Sequence, residues 1–109
     1  MNKNEELKEL KSLYAKMQEF KFPKFPKNEI LANWMDSIFE LDPYYAGWAL
    51  TVAEGGKISL RDLYDIKELK KYLNSIQIDN EEDLKILEEC KCYLKILEQV
   101  DELLHKLSR

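Results

Sequence analysis

Apolar residues recur at three- and four-residue steps along most of the chain, the repeat that gathers them on one side of an α-helix. Leu7, Leu10, Tyr14 and Met17, widened by Leu13 and Phe20, predict a first helix over about Lys3 to Phe20, with Glu5, Glu6 and Glu9 near its positive end. It stops at Phe22-Pro23 and Phe25-Pro26, because proline lacks a donor and holds its predecessor extended. Asn28 then caps a second helix, about Glu29 to Leu41, carrying Ile30, Leu31, Trp34, Met35, Ile38 and Phe39. Asp42-Pro43 reads as a junction, with Asp42 as N-cap and Pro43 as first residue of a third helix running to about Glu54. Gly55-Gly56 ends that helix, and Gly47 is an alternative break within it. Tyr44 to Ala53 has no charge on any face, so this short helix is expected to be the most buried element, with Ala46, Gly47, Ala49 and Ala53 admitting a close neighbour.

Ser59 with Asp62 three residues on resembles a capping box, and Ile58 can staple onto Leu63. The pattern predicts a fourth helix, about Leu60 to Leu73, burying Leu63, Ile66, Leu69, Tyr72 and Leu73. Asn74 to Asn80 is a polar turn with Asp79 and Glu82 as a second cap-like pair. Lys57 to Leu60 and Ser75 to Ile78 alternate enough to form a small two-stranded ladder instead. A fifth and longest helix, about Asn80 to Lys106, carries an unbroken seam of Ile86, Cys90, Tyr93, Leu97, Val100, Leu104 and Leu107, broadened by Leu87, Leu94, Ile96 and Leu103. The expected fold is all-α: a single domain over residues 1–109, a bundle of about five helices organised on the long C-terminal helix. So wide an apolar face needs several helices around it, or a second copy of the chain through Leu97, Val100 and Leu104.

At 109 residues, 45% hydrophobic and 35% charged, the composition is that of an ordinary globular domain with one core. The longest uncharged stretch, Pro43 to Ala53, is far short of the ~20 residues of a membrane span, and no secretory leader is evident. Cys90 and Cys92 lie two apart on one helix and cannot easily bridge, which fits a reducing cytoplasm. The net charge of −4 is uneven: residues 28–56 hold five acids and no Lys or Arg.

Most chemistry is missing its parts. His105 is the one histidine, so hydrolytic triads and the paired Glu-x-x-His motifs of di-iron bundles are excluded, although Glu102 and His105 have that spacing. Cys90, Cys92 and His105 lie on one rigid helix and do not converge on tetrahedral zinc, and Gly55-Gly56 is no phosphate loop. The expectation is a chain that is not an enzyme and has no cofactor or metal. A pI near 5.1 argues against nucleic acid. The local exception is a period-three repeat that aligns Lys21, Lys24 and Lys27 along one edge in polyproline geometry; alternatively it is a rigid connector pinned by Phe22 and Phe25.

Eight of the twelve aromatic residues lie between Phe20 and Trp48, overlapping the stretch without cations. Tyr44 and Tyr45 are adjacent and must face different ways. Trp34, Tyr44, Tyr45 and Trp48, rimmed by Asp36, Glu40, Asp42 and Glu54, have the composition of a protein-binding surface for a basic partner. The leading expectation is therefore a non-enzymatic regulatory protein that occupies a partner, as immunity proteins, antitoxins and phage-encoded inhibitors do; that is an analogy of size and charge, with no shared motif. Two rivals stand beside it: the homo-oligomer above, and a small-ligand module with a pocket lined by Trp34, Phe39, Tyr45 and Trp48.

Overall fold

The computed structural model describes residues 2–108 and is helical throughout its regular parts: α1 (Lys3–Glu19), α2 (Glu29–Ala53), a 3-10 turn (Leu60–Asp62), α3 (Ile66–Asn74) and α4 (Glu81–Leu107). Three asparagines start the three long helices in the same way. Asn2, Asn28 and Asn80 each accept, through the side chain, the amide three residues on, from Glu5, Leu31 and Asp83. Asn80, one residue beyond the expected Asp79, is thus the cap of α4. At the far end of α2 the Gly55 and Gly56 amides close onto the Val52 and Thr51 carbonyls. This Schellman turn needs the positive φ of Gly55, 96°.

The expected second and third helices are one. Pro43 lies inside α2, where it leaves the Phe39 carbonyl without a helical donor, yet the helix continues because its buried side is unbroken across the proline. Leu31, Trp34, Met35, Ile38, Leu41, Tyr45, Ala49 and Val52 are all buried in helical phase. Asp42, expected to cap a new helix, instead turns inward and accepts from the Tyr93 hydroxyl of α4. The segment from Tyr44 to Ala53 is not buried all round: Tyr44, Gly47 and Leu50 are exposed. Nothing lies within 4 Å of a Cβ placed on Gly47, so it serves no close helix approach. Gly47→Ala is expected to stabilise the protein by about 0.5–1 kcal/mol, read as a raised chemical-denaturation midpoint.

The fourth helix also differs. Ser59 makes no side-chain cap and begins only the 3-10 turn; α3 starts later, where Asp65 accepts the Lys67 and Glu68 amides. An aspartate able to take two amides at once is a stronger start than a serine with none. Tyr72 therefore lies outside, and no strand forms among the described residues, so the small ladder is absent.

Helices α2 and α4 run parallel. Asp83 of α4 accepts the Lys27 and Asn28 amides at one end, Tyr93 donates to Asp42 midway, and Tyr45 donates to Asp101 further along. Helix α1 packs against both, and α3 lies across the same pair. Leu97, Val100 and Leu104 are fully covered by the chain's own helices. The proposed self-association face is thus core, its breadth satisfied from within. Cys90 is buried, its thiol pushed up to about 11 by burial, and Cys92 is exposed. Among the described residues no helix is long and apolar enough to cross a membrane.

Residues 20–28 cross from α1 to α2 as an extended strap. Phe20 stacks on Tyr93 at 4.3 Å, while Phe22 meets Phe20 edge-on at 5.1 Å and lies 4.3 Å from Phe39. Lys21, Lys24 and Lys27 stay in solvent, with Lys24 paired to Glu82. Phenylalanines thus fix the connector while the lysines remain hydrated.

Candidate functional site

Two aromatic side chains of α2 fix where α3 lies. The Trp34 indole donates to the Leu69 carbonyl at 3.1 Å, and the Tyr45 hydroxyl lies 2.8 Å from Asp101 Oδ1 and 3.2 Å from the Tyr64 carbonyl. Both side chains are core, so of the expected surface set Trp34 and Tyr45 hold the site from beneath. One face of α2 remains open beside them. Ser37, Glu40, Tyr44 and Trp48 follow one another at three- and four-residue steps along it.

Tyr64, in the short connection between the 3-10 turn and α3, completes this face. Its ring lies 6.4 Å from Tyr44, 6.3 Å from Trp48 and 6.4 Å from Tyr45, and Trp48 meets Tyr45 edge-on at 5.1 Å. Tyr44 is 56% exposed and Tyr64 47%. Two exposed rings thus stand beside the half-buried Trp48 on a fourth, Tyr45, that is fully buried, so their positions are held from below.

The face continues into a groove of about 500 Å³ between α2 and α3. Glu40, Asp65 and Glu68 supply its charge, Tyr64 and Tyr72 its walls, and Leu41 and Leu69 its apolar lining; no Lys or Arg lines it. On α3, Lys67 and Lys70 face a cleft toward α4, where Lys70 pairs with Glu98 at 3.5 Å, while Glu68 faces the groove and meets the exposed Lys71 at 3.7 Å. That second cleft, about 590 Å³, holds Lys67, Lys70 and Lys106 against Glu98, Asp101 and Glu102, so its field is balanced. His105 lies there with Nδ1–H donating to the Asp101 carbonyl at 2.8 Å, and Glu102 pairs with Lys106.

The other expected residues are more scattered. Asp36 on α2 and Glu54, the residue that caps its C-terminus, are exposed and line neither the groove nor the ring cluster, and Asp42 is engaged with Tyr93. Phe39 belongs to the phenylalanine strap, apart from Trp48, so the pocket expected from Trp34, Phe39, Tyr45 and Trp48 does not assemble. Tyr64, Asp65, Glu68 and Tyr72 were not anticipated. Asp65 and Glu68 carry a signal in their Asp-x-x-Glu spacing, the same cap-like signature read at Ser59, whereas Tyr64 and Tyr72 carry none.

The internal aspartates titrate in opposite senses. Burial raises Asp101 above the ordinary carboxylate range, against the lowering bond from Tyr45; once protonated it can donate to Tyr45, freeing that hydroxyl for Tyr64. Burial likewise raises Asp42, against the lowering bond from Tyr93. Burial also acts upward on Asp83, but the bonds from Asn80 and the Asn28 and Lys27 amides outweigh it and hold the carboxyl low. Stability held by Asp83 is full above its unfolded value and lost as pH falls through its lower folded one. Asp42 and Asp101 act in reverse: their contribution is full below the unfolded value and lost as pH rises through the folded one. Acidification from neutral pH toward the ordinary carboxylate range is therefore expected to raise the melting temperature slightly before strong acid lowers it. Asp101→Asn should flatten the rise, as read by thermal melts across pH.

No family model, curated protein or solved structure matches the chain.

Proposed function

We propose that this chain is a non-enzymatic interaction protein that regulates a basic protein partner by occupying its surface through the open face of α2 and the adjoining Tyr64. The carrying observation is the juxtaposition of two exposed rings, Tyr44 and Tyr64, clustered on the half-buried Trp48, with a carboxylate groove that no cation lines. Rigid aromatic side chains lose little entropy on binding, and a one-sign rim steers an oppositely charged partner. The internal polar groups support the same reading: Tyr45, Tyr93, Asp42, Asp83 and Asp101 are all engaged in bonds that join helices.

Tyr44→Ala and Tyr64→Ala are each expected to weaken capture of the partner from native lysate at least tenfold, with melting temperatures close to wild type. Leu84→Ala, an equally exposed apolar change on α4, should leave capture within twofold. Partners retained equally by all four proteins would overturn the reading.

A further inference from the structure

We propose that the α2–α3 groove receives an arginine side chain, together with an apolar neighbour, from the partner. The inference rests on the functional reading above and deepens it by naming what the groove recognises. Glu40 has no cation within 4 Å among the described residues. Asp65 uses Oδ1 on the Lys67 and Glu68 amides, which leaves Oδ2 open to a further donor. Glu68 meets only the exposed Lys71, at 3.7 Å. Three carboxylates thus face a space flanked by the exposed rings of Tyr64 and Tyr72, with Leu41 and Leu69 completing the lining.

Charge complementarity requires a cation, and the ring walls select which one. A guanidinium is planar, stacks on a tyrosine face and offers a fork of donors to more than one carboxylate, whereas an ammonium is a compact and strongly hydrated point charge. The leucines accept a short apolar side chain beside it. At about 500 Å³ the groove has room for both.

The test uses the intact chain and three blocked hexapeptides: acetyl-Ala-Arg-Leu-Leu-Arg-Ala-amide, its lysine counterpart and its glutamate counterpart. Binding is followed by amide chemical-shift titration. The arginine peptide is expected to bind at least threefold more tightly than the lysine peptide and to shift the amides of Glu40, Tyr64, Glu68 and Tyr72. Glu40→Gln with Glu68→Gln should weaken it about tenfold, whereas Glu88→Gln with Glu89→Gln, the same charge change on α4, should weaken it less than twofold. Equal weakening by both pairs would mean diffuse attraction and would overturn the proposal. So would equal affinity for arginine and lysine, or no binding of any peptide. Shifts confined to Tyr44 and Trp48 would overturn the groove while leaving the aromatic face as the interaction surface.

Discussion

Asp83→Ala is expected to destabilise the protein by about 3 kcal/mol, although the side chain is remote from the α2–α3 face. Asp83 is 1% exposed, the one buried charged residue among the described ones, and is ringed by donors: the Lys27 amide at 3.1 Å, the Asn28 amide at 2.8 Å and Asn80 Nδ2 at 3.2 Å. Each buried donor left without an acceptor costs about 1–3 kcal/mol, and partial hydration of the strap reduces the sum. At about 4–8 °C per kcal/mol for a domain near this size, the melting temperature should fall by roughly 12–24 °C. Asp83→Asn keeps one acceptor and turns the other into a competing donor, so it should fall between wild type and alanine. Thermal melts by circular dichroism read both. A fall of less than about 3 °C for the alanine variant would mean that the strap is not anchored through this carboxylate.

The second large effect concerns the element that makes the groove. Trp34→Ala removes a side chain 2% exposed and the indole bond to the Leu69 carbonyl, and is expected to cost about 3–5 kcal/mol. Domains of this kind have only about 5–15 kcal/mol in total, so this variant sits close to unfolding. Trp34→Phe keeps most of the volume and loses the bond, for about 1–2 kcal/mol. Its distinguishing signature is local: amides of Ile66–Asn74 should exchange faster while those of α1 and α4 keep their protection. Uniformly faster exchange along the whole chain would show that the bond does not specifically hold α3.

Much of the scaffold is legible in the sequence because its signals are local. The Asn28 cap, the glycine stop at Gly55, the phenylalanine strap and the seam of α4 each depend on residues a few positions apart. What escapes is set by distant partners. Asp42-Pro43 carries the signature of a helix start, but Tyr93, 51 residues away, offers Asp42 a hydroxyl, and the buried row on either side keeps the helix intact. Asp83 reads as one more acid of a first turn until the strap folds over it. Tyr64 lies in the short connection before α3 with no periodicity to mark it, and its place beside Tyr44 and Trp48 depends on a carbonyl that comes within 3.2 Å of the Tyr45 hydroxyl, 19 residues away. Adjacent Tyr44 and Tyr45 divide as their position requires, one to solvent and one to the core. The acidic and aromatic character of the face was visible in advance. Its membership was not, because five of the eight groove residues come from α3 and the connection that leads into it.

The most direct measurement is hydrogen exchange on the chain alone and in complex with the partner it captures. The account predicts added protection over residues 37–48 and 60–72, with the outer face of α4 and residues 20–28 unchanged. Protection confined to the strap around Phe25 and Phe39, or absent from both stretches, would contradict it.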